Sequence, residues 1–592
     1  MSSFYKLGQM PIGLTVPAFA ILLVVFGIPT VLLFLISLNA PDFSVTNYYA
    51  FFTQPANVRV LFQTIEVSLV ATGICLIVGY PTAYLIVTAS KSLRITLIAL
   101  VIIPYLTSGL ARTYAWIVIL GDRGVINNLL LGLGLIQSPL PLIYNRMAVY
   151  IGMVHIMLPL MILPLVSAMM GIDRSFVAAA RSMGAGPFTA FRRVFFPLSL
   201  PGVRSGSLLV FVFCLGFYIT PAALGGLRDA MLSTFIAAQV KSSFDMSRIA
   251  TAAFILLAVA IIVLSMVGLD LSGTQGRAAN PVRKSWLARL SIIRNLKLYL
   301  SELPRPYRAK RWAAQLYQAG TASRWPQIIG RVFVVLVMVY LLFPGLIVVV
   351  MSFSAGAFLE FPPSGLSLQW YRSFFGDASW NGAAWTSVQI GVEVAILSTI
   401  VGTLAAFGLS RMGPGSRSFL TMIIITPITF PVIVVGIATY LGLIELGLIG
   451  SQTGIILAHS IGAIGIVVVI VSATLANFDR TLVQAAKSMR AGPLQTFMRV
   501  TLPLIRPGLI GGAVFAFLQS FDEAVITSLV GGLSVRTLPL KMLENMRNQI
   551  DPTIAAVASL LMLLPLLWII VFYVLWWKSK AKAQNTLPAP AA

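Results

Sequence analysis

The sequence predicts an all-α membrane protein, with twelve transmembrane helices arranged as two parallel six-helix halves. Three observations predict it. Of 592 residues, 58% are hydrophobic and only 10% are charged, whereas an ordinary soluble domain carries about 25% charge. The apolar residues gather into twelve long runs, each near the ~20 residues that a helix needs to cross ~30 Å of hydrocarbon. The chain also overlays on itself when shifted by 306 residues.

In order, the runs are 13–38, 61–89, 93–120, 147–170, 202–224 and 249–271, then 328–353, 383–409, 419–443, 453–476, 508–530 and 553–577. The first half therefore spans 1–271, and a basic linker occupies 272–327. The second half is 328–577 and the tail is 578–592. The first run is too long for a signal-peptide core, no small-residue cleavage site follows it, and it reads as a retained anchor. Trp576 and Trp577 before Lys578 read as an interfacial belt with a snorkelling lysine.

Lys and Arg set the orientation. With the N-terminus in the cytoplasm, inside segments hold 30 of them and outside loops 10, while Arg112 lies within the third run. Both termini and the linker are expected to be cytoplasmic. The net charge of +24 is then mainly a record of topology, reinforced by attraction to anionic lipid, and no nucleic acid is expected. The linker itself suits a docking site or a solvated connector.

The side chains exclude much chemistry. Cys75 and Cys214 both lie inside apolar runs, and His155 and His459 are far apart in sequence. They offer no disulfide framework, metal cluster or HExxH. No GxxxxGK[ST] phosphate loop occurs. No catalytic residue, metal or nucleotide is assigned to this chain.

In the 306-residue overlay, 173–226 lies on 479–532 without a gap, and 21 of the 54 pairs are identical. Each histidine precedes its matched Asp, Asp173 or Asp479, by 18 or 20 residues. Parallel six-helix repeats are a transporter architecture, with a pathway between the halves. The strongest shared segment is a loop, at 172–201 and 478–507. Its copies read AAARSMGAGPFTAFRRVFFPLSLPG and QAAKSMRAGPLQTFMRVTLPLIRPG. Gly186-Pro187 and Gly492-Pro493 predict two short helices, with Pro opening the second. Pro197 and Pro201, like Pro503 and Pro507, are expected to end that helix before the next crossing.

This spacing, Ala-Ala-x3-Gly-x9-hydrophobic-x2-Pro, resembles the EAA loop of ABC importer permeases. The first copy supplies Ala179, Ala180, Gly184, Val194 and Pro197, and the second Ala485, Ala486, Val500 and Pro503. The family's Glu is replaced by Ala178 and Gln484, and its Gly becomes Arg490 in the second copy. Arg tolerates positive φ poorly, which predicts a turn at Gly492 instead. The segments at 110–130, 151–165 and 215–226 resemble the first permease subunit of bacterial spermidine/putrescine importers. Those at 358–380 and 520–542 resemble the second. The resemblance thus implies two fused type I permease subunits in a bacterial inner membrane. It implies a homodimer of cytoplasmic ABC ATPase subunits, which would hold the ATP and Mg, and a periplasmic or lipid-anchored substrate-binding protein. The coupling residues it implies are Ala179, Ala180, Gly184, Ala185, Gly186 and Pro187, with Ala485, Ala486, Arg490, Ala491, Gly492 and Pro493.

Ionisable residues within spans are costly and point to function. Glu66, Arg112, Glu393, Asp522 and Glu523 qualify. In the overlay Gly216-Phe217 takes the place of Asp522-Glu523, so Phe217 and Tyr218 are expected to face a carboxylate pair. That combination suits an organic cation. Tyr114, beside Arg112, joins the expected pathway. On a continuous helix Asp522 and Glu523 would point ~100° apart, so unless the helix unwinds Asp522 is expected to line the pathway and Glu523 to pack or hydrogen-bond. Glu66 and Arg112 also suit structural ion pairs or an interface, and Glu393 a packed position. A proton-coupled twelve-helix transporter of the major facilitator type is the competing assignment. Its acid-bearing loop after the second helix is absent from TASKSLRITL and SRMGPGSRSF.

Overall fold

The computed structural model describes residues 12–226, 228–242, 245–267, 325–356, 360–479, 481–532, 534–548, 552–565 and 567. The linker up to residue 324, residues 568–577 and the tail lie outside the described residues. The first half contains α1 (Val16–Ser37), α2 (Pro55–Thr88), α3 (Lys91–Leu106), α4 (Gly109–Leu120), α5 (Arg146–Met170), α6 (Arg174–Ser182), α7 (Pro187–Leu215), α8 (Ile219–Leu224) and α9 (Met246–Val267). The second half repeats them in order as α10 (Trp325–Ser352), α11 (Ala378–Leu409), α12 (Pro414–Thr429), α13 (Val432–Glu445), α14 (Gln452–Ala476), α15 (Thr481–Ser488), α16 (Pro493–Phe521), α17 (Val525–Val530) and α18 (Thr553–Pro565).

Among the described residues, ten helices are long and apolar enough to cross a membrane, and the bent pair α12–α13 makes eleven. The twelfth run begins as α18 and continues beyond the described residues. Apolar side chains such as Ile77, Val335 and Ile396 stay exposed along these helices, as a lipid-facing surface requires.

The repeat extends to hydrogen bonds. Thr64 Oγ1 accepts from the Leu232 amide, and Ser387 Oγ accepts from the Leu538 amide. Between α2 and α11 the matching shift is therefore 323 residues rather than 306. The halves interlock through their first helices. α1 packs on α11, α13 and α14, and α10 packs on α2, α3 and α4. Tyr340 of α10 donates to the Ile151 carbonyl of α5 at 2.7 Å, and His155 Nε2 meets the Leu341 carbonyl at 3.1 Å.

Two sequence expectations are corrected. Pro197, Pro201, Pro503 and Pro507 do not end the loop helix, because α7 and α16 run on through them into the membrane. A π turn, Phe191–Phe195 in one half and Phe497–Thr501 in the other, precedes Pro197 and Pro503. Its wider bonds, Phe196 N–H to Phe191 O and Leu502 N–H to Phe497 O, re-space the ladder where a proline supplies no N–H. The other correction concerns the runs 93–120, 202–224, 419–443 and 508–530, which are not continuous helices. Each is broken, as α3/α4, α7/α8, α12/α13 and α16/α17. Proline or a capping side chain makes the break cheap: Ser108 Oγ accepts from Ala111 N–H, and Pro431 sits at the 100° bend between α12 and α13.

Candidate functional site: a cavity where four broken helices meet

Broken backbone is tolerated at membrane depth only where protein buries it or where it lines a cavity. All four breaks border one cavity of about 580 Å³ between the halves. They also meet in pairs. Gly216, at the α7/α8 break, lies against Pro431 at the α12/α13 break so closely that a Cβ would sit 2.8 Å from Pro431 Cα. Asp522, at the α16/α17 break, lies against Ser108 and Gly109 at the α3/α4 break. The repeat relates Gly216 to Asp522 and Pro431 to Ser108, so these are the same contact made twice. One version is apolar and sterically tight, and the other is polar.

The polar version is well satisfied. The Ser108 hydroxyl donates to one Asp522 oxygen, and the Gly109 N–H donates to the other at 3.0 Å. Asp522 thereby serves the N-terminus of α4, where unpaired amides and the helix dipole favour an anion. Arg112, buried one turn further on, interacts electrostatically with Asp522, and its Nη1 donates to the Ile156 carbonyl at 3.4 Å. Glu523 works differently. Its Oε1 accepts from the amides of Val525 and Ile526 at 2.8 and 2.9 Å and so opens α17. Because helix α16 ends at Phe521, the constraint of ~100° between neighbours does not apply, and both carboxylates border the cavity.

Phe217 and Tyr218 line the same cavity, with Tyr105, Phe213, Phe430 and Phe515. The expected meeting of rings and carboxylates is therefore present, and Arg112 joins it. Two expected pathway residues do not. Tyr114 is buried within α4 and is not part of the wall, because it faces the packed side of that helix. Glu393 is exposed on α11 between Val392 and Ile396 and borders no part of the cavity. Exposed Glu66 pairs with half-buried Arg146 at 3.2 Å, and Arg146 also pairs with half-buried Asp229 at 3.3 Å, the structural ion pair that the sequence also allowed.

His459 was not singled out from sequence, yet it borders the cavity. Its Nδ1 meets Ser520 Oγ at 2.9 Å and its Nε2 meets Thr527 Oγ1 at 3.0 Å. It thus staples α14 to both sides of the α16/α17 break. The signal available in the sequence is that each half carries one histidine, 18 or 20 residues before its repeated Asp.

The two repeated loops share one geometry. α6 ends with Ala185 N–H bonded to Ala180 O and Gly184 N–H to Arg181 O, at 3.0 Å each. α15 ends with Ala491 N–H to Ala486 O at 3.0 Å and Arg490 N–H to Lys487 O at 2.9 Å. Both are Schellman ends, which need a left-handed residue after the cap. Gly184 has φ +83° and Arg490 has φ +59°. The expectation of a turn at Gly492 is therefore corrected, since Gly492 has φ −64° and caps the next helix as Gly186 does. Pro187 and Pro493 open that helix as the sequence predicts. The paired bonds hold Arg490 in a conformation it would not choose alone, while its side chain stays exposed. At matched positions Met183 and Met489 are 82% and 83% exposed, as Phe188 and Leu494 are also exposed. Ala179 and Ala485 lie on exposed or half-exposed faces, and Ala180 is buried.

Comparison with known proteins agrees with this architecture. Residues 398–582 match the family described as the binding-protein-dependent transport system inner membrane component. The chain is 35% identical over 230 residues to the spermidine/putrescine transport system permease protein PotB of Haemophilus influenzae, covering 37% of this chain and 78% of that protein. It is 33% identical over 231 residues to the putrescine transport system permease protein PotI of Escherichia coli, covering 38% and 82%. This chain belongs to the ABC importer permeases of the spermidine/putrescine type. This permease is a multi-pass inner-membrane protein that carries two copies of a repeated helical unit in one polypeptide.

Proposed function

We propose that this permease forms the whole transmembrane pathway of an ATP-driven importer for a small amine cation, most simply a polyamine. The observation that carries the substrate class is the cavity between the halves. Its wall combines aromatic rings with two carboxylates and a single buried arginine, so negative charge is in excess. Ammonium groups are attracted by carboxylates and by the faces of aromatic rings. The named relatives, permeases for spermidine and putrescine, support the same class.

Transport is driven from outside the chain. A homodimer of ATPase subunits, which bind the ATP and Mg, docks on loops 172–201 and 478–507. Their matched Schellman turns and exposed Met183 and Met489 offer two equivalent apolar knobs. A substrate-binding protein delivers the amine on the opposite face. Both termini and the basic linker lie on the cytoplasmic side. Closing and opening the cavity in alternation moves the solute inward.

The test is uptake of labelled putrescine and spermidine into proteoliposomes holding this permease with its ATPase and binding protein. Uptake should require ATP, and Glu523→Gln should raise the apparent KM roughly ten- to a hundredfold, the equivalent of ~1–3 kcal/mol of charge-assisted contact. Native mass spectrometry should find two ATPase subunits per chain. Uptake driven by a proton gradient with no ATPase present would reject the importer in favour of a secondary transporter.

A further inference from the structure

A second cavity, of about 650 Å³, lies where α2 ends, α3 begins, α5 ends and α6 begins. Its wall includes Val87, Ser90, Lys91, Arg94, Met170 and Arg174. It adjoins the start of the first repeated loop, and the transport cycle proposed above assigns it no ligand.

Its charge is unusual. The Val87 carbonyl, in the last turn of α2, accepts from Arg94 Nη1 at 3.5 Å and from Arg174 Nη2 at 2.9 Å. Two guanidinium groups are thus drawn onto one oxygen, with Lys91 on the same wall. Among the described residues none of the three pairs with a carboxylate. Asp173, next to Arg174 in sequence, is not part of the wall, and its carboxylate accepts from the Ser175 amide. The 16-residue helix α3 also starts there, and its cap residue Ser90 makes no side-chain bond to its first turn. Unpaired amides and the positive end of the helix dipole add to the same field. Converging cations with no counter-charge repel one another, and a bound anion removes that cost.

The surroundings select the kind of anion. Leu93, Ile95 and Met170 are exposed apolar residues on or beside the rim, so charge and hydrocarbon-facing surface adjoin. A soluble anion needs only the first, whereas a lipid needs both. Basic pockets between helices at the cytoplasmic membrane surface suit acidic headgroups. We propose that this cavity binds the headgroup phosphate of an anionic phospholipid, beside the start of the first repeated loop. The proposal rests on the orientation given above, with α6 on the cytoplasmic side. The 323-residue shift places Arg417 on Arg94 and Pro414 on Lys91, while Arg411 takes the place of Thr88 in the wall, so the second half distributes its cations differently.

The test is native mass spectrometry of the purified full chain, titrated with phosphatidylglycerol or phosphatidylcholine. Wild type is expected to keep one phosphatidylglycerol more tightly than all others. Lys91→Gln should weaken that adduct about fivefold, and the Arg94→Gln, Arg174→Gln double variant about 25-fold, at ~1 kcal/mol per basic side chain. The Lys91 side chain is exposed, so its variant stays informative even where the double variant folds poorly. Equal retention by wild type and Lys91→Gln would overturn the proposal. Thermal stabilisation by millimolar inorganic phosphate, lost in Lys91→Gln and without selective lipid retention, would assign the site to a soluble anion and overturn the lipid. Cysteine labelling at Ser90 in sealed vesicles reads the orientation separately. Labelling from the outer face would reject that reading whatever the lipid result.

Discussion

Replacing Asp522 by Asn tests whether its carboxylate joins the halves or holds the solute. The substitution keeps the size, and the amide oxygen can still accept from the Gly109 N–H. What is lost is the charge, and with it the charge-assisted bond from Ser108 and the attraction to buried Arg112. Hydrogen bonds to a charged group contribute ~1.5–3 kcal/mol and neutral ones ~0.5–1.5. The closed contact should therefore weaken by ~1–2 kcal/mol, with more lost if Arg112 is left without a counter-charge. A shift of that size changes the ratio of open to closed states roughly five- to thirtyfold. In proteoliposomes with the ATPase present, Asp522→Asn should raise ATP hydrolysis in the absence of binding protein and lower the maximal uptake rate. Its apparent KM for the amine should move less than that of Glu523→Gln. Ser108→Ala should reproduce a smaller part of the effect. The double variant should fall short of the sum, because both changes remove one bond. If Asp522→Asn raises KM as strongly as Glu523→Gln while leaving unstimulated hydrolysis unchanged, Asp522 is a solute ligand and the latch does not exist.

Two further substitutions test the geometry elsewhere. Gly216→Ala places a Cβ 2.8 Å from Pro431 Cα and should cost ~1–3 kcal/mol through overpacking. It should appear as a lower Tm of the detergent-solubilised chain, and an unchanged Tm would mean that the two breaks do not touch. At the coupling loops, Gly184→Val forces a β-branched residue to φ +83°, at a cost of roughly 1–3 kcal/mol, whereas Arg490→Gly removes strain of about 1 kcal/mol. Stimulation of the ATPase by loaded binding protein should fall in the first and hold or improve in the second. Equal, negligible effects would remove these turns from the docking surface.

The two-half plan was legible because it rests on signals that survive without tertiary context: apolar run length, the 306-residue overlay and the Gly-Pro pairs that open α7 and α16. The breaks were not. A run such as 508–530 is apolar enough on average to pass for one helix despite Asp522 and Glu523, and hydropathy cannot register that the helix ends at Phe521. Asp522 and Glu523 were visible as charges within a span. Their roles were not, since the partners of Asp522 are Ser108 and Gly109, more than 400 residues away in sequence. Glu393 misled for the same reason, as a carboxylate within a run carries no mark of which helix face it occupies. Arg490 misled because intrinsic preference was weighed without the Schellman bonds that override it.

The symmetry of this chain is kept at the repeated loops and lost at the cavity. At the loops, an Arg in place of Gly leaves the turn unchanged, with φ +59° against +83° and the same two bonds. A paired ATPase needs such matched surfaces, since both would move together. At the cavity, the contact that is Gly216 on Pro431 in one copy is Asp522 on Ser108 and Gly109 in the other. Two identical polar contacts would place two carboxylates in the wall beside Glu523, and the repulsion of like charges in a low-dielectric site would oppose closure. Two identical apolar contacts would leave α4 without its anion and Arg112 without a counter-charge. One of each gives a wall that closes tightly on one side and keeps a net negative charge on the other. For the amine cation proposed above, such an uneven wall would offer Glu523 to the charge and Phe217 and Phe430 to the hydrocarbon stem, since all three border the one cavity.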